Sequence, residues 1–186
     1  KKKIKSYEGD ISNVSQIKKI INIFQPEIIF HLAAQALVKE SYLNPINTFR
    51  TNSLGTLNLL IASSKSKKLK AIVLITSDKV YKNLEIKRGY RENDILMGND
   101  PYSASKSCAE IIINMYLKSF LKEKKTKVCV TRAGNVIGGG DWSNDRIIPD
   151  LFKRWSKSKK LKIRNPNSTR PWQFVLEPIG AYLYLG

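Results

Sequence analysis

Tyr102 and Lys106 stand four apart in Asp100-Pro-Tyr-Ser-Ala-Ser-Lys106. On a helix that spacing puts them on one face, with the ammonium close enough to stabilise a phenolate. An ordinary tyrosine titrates near about 10 and is a poor base at neutrality, so a neighbouring cation is the chemical point of the pairing. Spacing alone is weak: with 8 Tyr and a Lys+Arg total of 33 in 186 residues, about one Tyr-x-x-x-Lys arises by chance. Context strengthens it. Asp100 fits an N-cap and Pro101 a first-turn residue, which puts Tyr102 at the mouth of a helix. Upstream, the apolar run Ala71-Ile-Val-Leu-Ile75 reads as a buried parallel strand that delivers Thr76-Ser-Asp-Lys79. Functional atoms in such sheets gather at the carboxyl ends of strands, so the two polar clusters are expected to meet at one edge as an active site.

Those side chains need elements to hold them. Ser6 to Asp10 reads as the end of a strand, and Ser12 as the cap of a helix with apolar face Val14, Ile17, Ile20, Ile21 and Phe24, stopped by Pro26. Glu27 to Ala34 is the next buried strand, and its small final residues let a ligand approach the backbone. His31, the single histidine, falls inside that strand and reads as a packed core imidazole rather than a catalytic one. A helix is predicted over 45–64 from Phe49, Leu54, Leu57, Leu60 and Ile61, with Asn52 and Gly55 on it. The Tyr102 helix runs to about Lys122, and a strand from Lys127 to Arg132 follows. This alternation predicts an α/β fold, a Rossmann-like doubly wound parallel sheet with right-handed crossovers.

Beyond Arg132 the texture changes to that of a small second lobe covering the sheet edge. Ala133-Gly-Asn-Val-Ile-Gly-Gly-Gly140 is glycine-rich without the Gly-x-Gly-x-x-Gly order, and Gly138 to Gly140 let the chain turn out of the sheet. A helix from Arg146 to about Ser156, a strand from Leu161 to Arg164 and a final helix from Glu177 follow. Arg146, Arg164 and Arg170 are candidates to clamp a diphosphate with bidentate hydrogen bonds, against the alternative of ordinary surface arginines.

The formal charge of +18 raises nucleic acid as a partner. The lysine runs lack interleaved exposed aromatics, so they read as solvated faces whose field favours an anionic small substrate. Cys108 and Cys129 form no paired metal or redox motif, and no metal is expected. No window resembles a signal peptide or a membrane span, which predicts a soluble, cytoplasmic chain without membrane partners. Lys1 at the start and Gly186 inside a helical pattern predict an internal piece of a longer protein.

Taken together, Thr76-Ser-Asp-Lys-Val-Tyr81, Tyr102-x-x-x-Lys106, His31-Leu-Ala-Ala-Gln35 and Arg132-Ala-Gly-Asn-Val-Ile-Gly138 resemble the extended short-chain dehydrogenase/reductase superfamily. Within it, Gly89-Tyr-Arg-Glu-Asn-Asp94, Gly138-Gly-Gly-Asp-Trp142, Asp145-Arg146, Ile163-Arg-Asn-Pro166 and Thr169-Arg-Pro-Trp-Gln173 are similar to the CDP-glucose 4,6-dehydratase branch. The resemblance runs over essentially the whole chain. It implies NAD as cofactor, a nucleotide sugar as substrate, and a homodimer paired through helices like those at Pro45 and Tyr102. It also implies a partial NAD-binding domain at 1–136, without its first strand-helix unit and pyrophosphate turn, and part of a substrate-binding lobe at 137–186.

By the same resemblance, Asp10 and Ile11 flank the adenine, and Leu32, Ala33, Ala34, Gln35 and Thr76 line the cofactor path. Tyr102 takes the proton of the sugar 4-hydroxyl as hydride leaves C4 for NAD; Lys106 holds the nicotinamide ribose and lowers the tyrosine pKa; Ser77 hydrogen-bonds the same hydroxyl. Asp78 is the acid for the hydroxyl that departs from C6, once the 4-keto group has acidified C5. Asn135, Arg146 and Arg170 join Ser77 as substrate contacts. Lys79 stands where related dehydratases carry a glutamate base, and it can take the C5 proton only as a neutral amine; the alternative is a lysine that orients Asp78 or the substrate. Two other readings stay open. One is a nucleotide-sugar 4-epimerase, which shares Tyr102 and Lys106 without needing an acid at Asp78. The other is a non-catalytic nucleotide-binding relative.

Overall fold

A computed structural model describes residues 4–121, 125–158, 160, 162–163 and 165–186. In chain order the first elements are α1 (Val14–Phe24), β1 (Ile28–His31), α2 (Val38–Leu43), α3 (Pro45–Phe49), a π-helical turn (Arg50–Leu54) and α4 (Gly55–Ser63). They are followed by β2 (Ala71–Ile75), a 3-10 turn (Asp78–Val80), α5 (Pro101–Phe120) and β3 (Lys127–Thr131). The remainder holds β4 (Asn135–Ile137), α6 (Ile147–Trp155), β5 (Trp172–Phe174) and α7 (Leu176–Leu185).

β1, β2 and β3 form a parallel sheet in that order, with Val73 opposite Phe30 on one side and Cys129 on the other. The centre of β2 is sealed on both faces, which is why its sequence is apolar without alternation. Ile72 and Leu74 point into a core shared with Ile17 of α1, Leu60 of α4, and Ile113 and Tyr116 of α5. Each such side chain contributes roughly 1.5–3 kcal/mol relative to leaving it in water. Val73 turns the other way, as does its β1 neighbour Phe30, against whose ring the end of α7 lies. Helices therefore cover both faces of a parallel sheet, the α/β Rossmann-like architecture that the alternation predicts.

Several local expectations change. Ser6 to Asp10 is not a strand: β1 is an edge of the sheet among the described residues, so no neighbouring strand offers ladder bonds. The first cap is Asn13, not Ser12, with its Oδ1 accepting the Gln16 N–H at 3.1 Å. β1 stops at His31, and residues up to Gln35 leave the sheet. The helix predicted over 45–64 is interrupted by the π turn, whose wider turn rotates the apolar face: Leu54 is 52% exposed while Leu60 is buried. α2 was not legible as a separate element. The expected strand from Leu161 to Arg164 has both ends, and the diphosphate candidate Arg164, outside the described residues; Lys162 and Ile163 carry no strand. The strands observed beyond Arg132 are instead β4 and β5, which pair in parallel. No helix among the described residues is long and apolar enough to cross a membrane.

Candidate active site

The helix that carries Tyr102 is capped as its sequence implies. Asp100 Oδ1 accepts the Ser103 N–H at 3.0 Å, Ser103 Oγ accepts the Asp100 N–H at 3.0 Å, and Pro101 opens the first turn. Gly98 passes beneath this turn so closely that a Cβ on it would lie 2.2 Å from the Ser103 carbonyl carbon. The lack of a side chain there is what lets the loop seat the helix.

The end of β2 is fastened to the same helix and to the end of β3. Lys106 Nζ donates to Ile75 O at 3.1 Å, the Thr76 N–H to Thr131 O at 2.8 Å and the Asp78 N–H to Ala133 O at 3.1 Å. Ser77 caps the 3-10 turn, with its Oγ accepting the Lys79 N–H at 3.2 Å and lying 3.2 Å from Asp78 Oδ1. The Tyr102 phenol is near enough for Ser77 to draw its pKa down, and Lys79 Nζ lies 6.0 Å from the Tyr102 ring centroid. Ser77, Asp78, Lys79, Tyr102 and Lys106 thus come together at the carboxyl edge of the sheet.

Burial dominates the electrostatics. It pushes Tyr102 above its ordinary value; the Ser77 hydrogen bond and the Arg146 charge pull it down, while Asp78 and Asp100 push it further up. This corrects the expectation that Lys106 sets the tyrosine low, because desolvation outweighs every charge that reaches the phenol. Lys106 itself is pushed down to about 8 by burial, against the pull of Glu110. Asp78 is raised by burial, with Ser77, Lys79 and Arg170 opposing, which favours the acid form. His31 is pushed down to about 4 by burial and then by the Lys106 charge. Its Nε2 lies 3.1 Å from Thr56 Oγ1, which donates to Asn52 O at 2.7 Å, so the network assigns the proton to Nε2 of a neutral core imidazole.

The remaining candidates scatter in environment. Arg146 and Arg170 reach Tyr102 and Asp78 through their charges, although Arg146 pairs with Asp141 at 3.2 Å and Arg170 donates to Thr169 O at 2.7 Å. The Asn135 N–H donates to Pro171 O at 3.0 Å, joining the start of β4 to the Arg170 segment. Leu32 and Ala33 are exposed just past β1, with Ala34 half-buried. Gln35 is held by Asn52 of the π turn: its N–H donates to Asn52 Oδ1 at 2.8 Å, and Asn52 Nδ2 donates to Gln35 O at 3.0 Å and Ser105 Oγ at 2.9 Å. Asp10 is exposed and accepts the Ser12 N–H at 2.8 Å, while Ile11 packs against Gly55. The Thr76 side chain turns inward, its hydroxyl 2.6 Å from Glu110 Oε1.

Sequence reasoning missed Glu110 and Arg132. Arg132 Nε donates to Glu110 Oε1 at 2.8 Å and its Nη2 bonds Oε2. The one signal available was that Glu110 falls one turn beyond Lys106. For a dinucleotide the residues present fit the nicotinamide-ribose half: an open strand end at Leu32 and Ala33, and a buried ammonium with one described hydrogen bond among its three donors.

A parallel sheet with a serine, a tyrosine and a lysine converging at its carboxyl edge defines the short-chain dehydrogenase/reductase class. The family model described as GDP-mannose 4,6 dehydratase matches residues 1–184, and the chain belongs to that family. It is 46% identical over 185 residues, 97% of its own length and 52% of the other's, to CDP-glucose 4,6-dehydratase of Salmonella typhimurium. Among solved structures it is similar to the UDP-glucose 4-epimerase of Thermotoga maritima with UDP-glucose, at 25% identity and a TM-score of 0.84, over 95% of this chain and 57% of that one. It is also similar to the dTDP-glucose 4,6-dehydratase of Bacillus anthracis in complex with NAD, at 28% identity and a TM-score of 0.78, over 94% and 52%. The chain spans about half the length of the curated relatives it matches.

Proposed function

We propose that the protein is a nucleotide-sugar 4,6-dehydratase that converts CDP-glucose to CDP-4-keto-6-deoxyglucose with NAD. The observation that carries this reading is Asp78, a carboxyl raised by burial beside Ser77 and Tyr102, where an epimerase needs no acid. The likeness to the Salmonella enzyme supports the choice of substrate. NAD would lie along Leu32, Ala33, Ala34 and Gln35, with its adenine toward Asp10 and Ile11 and a ribose at Lys106. It would supply the redox chemistry, accepting hydride from C4 and giving it back at C6.

The side chains do the rest. Tyr102 takes the 4-hydroxyl proton while Ser77 orients that hydroxyl. The resulting ketone acidifies C5. Lys79 takes the C5 proton, and Asp78 delivers its own proton to the C6 hydroxyl, so water leaves and a C5–C6 double bond remains. After reduction at C6, the proton on Lys79, exchanged with solvent, returns to C5. Arg146 and Arg170 hold the diphosphate and Asn135 the sugar. Exposed Ile46 and Leu54, with Ile111 and Met115 on α5, support a homodimer across these helices. Unpaired Cys108 and Cys129 suit the reducing cytoplasm.

The test is to incubate the full-length protein with CDP-glucose in deuterated water. Loss of water with one solvent deuteron at C5 supports the dehydratase; inversion at C4 without loss of water establishes the epimerase reading instead. In Asp78→Asn the dehydratase reading expects reduced nicotinamide to accumulate without dehydrated product.

A further inference from the structure

The buried groups behind Lys106 have no part in the steps above. Lys106 is buried, and one turn further along α5 Glu110 is buried too. The Glu110 carboxylate faces Thr76 Oγ1 at 2.6 Å and is gripped by Arg132 from the end of β3 through Nε, at 2.8 and 3.1 Å, and Nη2. Arg132 reaches on to Tyr81 Oη at 2.7 Å and Glu92 O at 3.1 Å. Two strand ends, the catalytic helix and the loop after the 3-10 turn therefore converge on one carboxylate.

The charged and titratable groups around Lys106 are Tyr102 and Glu110, one turn to either side of it on α5, His31 on β1, and Arg132 behind Glu110. His31 is neutral by burial. Glu110, ion-paired with Arg132, is the carboxylate one turn from the buried ammonium on the same helix.

We propose that Glu110, clamped by Arg132, is the counter-charge of Lys106 and a positioning residue that fixes its ammonium against the Ile75–Thr76 strand end. The inference rests on the reading of Lys106 as the lysine that serves cofactor and tyrosine. Burial already holds Lys106 down at about 8 with Glu110 opposing, so loss of the carboxylate deprotonates it in the neutral range.

The experiment follows the Lys106 ammonium directly, by NMR of isotopically labelled lysine side chains in the full-length protein, with the resonance assigned by its absence in Lys106→Met. In Glu110→Gln the titration midpoint is expected to fall by about one pH unit, and the alkaline limb of the kcat/KM profile to move the same way. A purely structural role would lower activity at every pH with the midpoint in place. An unmoved midpoint overturns the proposal. Because Glu110→Gln leaves Arg132 unpaired, Glu110→Gln with Arg132→Met removes both buried charges, and the same direction of shift is required of it. The midpoint is read without turnover, so failure to process CDP-glucose would remove the proposed function and still leave this inference decided.

Discussion

Ser77 acts on two neighbours: its hydroxyl lies 3.2 Å from Asp78 Oδ1, and it draws the Tyr102 phenol down. Burial raises both groups and the serine opposes it at each. In Ser77→Ala the tyrosine moves further up, so a smaller fraction is phenolate at a given pH. The acid limb of the kcat/KM profile of the full-length enzyme is then expected to move to higher pH by about one unit; a limb that stays in place would detach Ser77 from the ionisation of Tyr102. At this scale the spacing of Tyr102 and Lys106 was legible, because both lie on one helix. Arg132 and Glu110 belong to different elements, and no local pattern joins them.

The placement of α5 decides where Tyr102 sits. Asp100→Ala removes one capping bond and is expected to lower stability by about 1 kcal/mol in urea unfolding, with modest loss of turnover. Gly98→Ala drives a Cβ to 2.2 Å from the Ser103 backbone and must displace the first turn. It is expected to cost more stability than the lost cap and roughly a hundredfold in kcat/KM, since a misplacement near 1 Å has that effect. Wild-type activity in Gly98→Ala would show that the turn adapts without moving the tyrosine. The cap was readable from Asp100 and Pro101. The π turn was not, because Asn52 is engaged by Gln35 and Ser105 from elsewhere in the chain.

For the whole molecule, the stability dependence on pH carries the mark of His31. Its folded value of about 4 lies below the ordinary value of about 6.5, so the unfolded chain binds the proton that the folded one refuses. The neutral imidazole therefore contributes stability that is fully present above about 6.5 and is lost as pH falls toward 4, up to roughly 3 kcal/mol by linkage. Urea midpoints of the full-length protein are expected to fall across this window, and His31→Gln to show a shallower slope. The exposed apolar residues of α5 make a second expectation: if they form the proposed homodimer interface, a charge at Ile111 or Met115 yields monomers in sedimentation analysis, and an unchanged sedimentation coefficient overturns that interface.

What the sequence determined by itself was everything set by neighbours along the chain: the apolar run of β2, the capped start of α5, the Tyr102–Lys106 spacing and the alternation that makes an α/β sheet. Tertiary structure decided the pairing of β4 with β5, the rotation introduced by the π turn, the grip of Arg132 on Glu110 and the upward direction of Tyr102. Periodicity and capping act over one or two turns of chain. Desolvation and Coulomb forces act between groups that only folding brings together, and in a buried site the first of these outweighs the spacing.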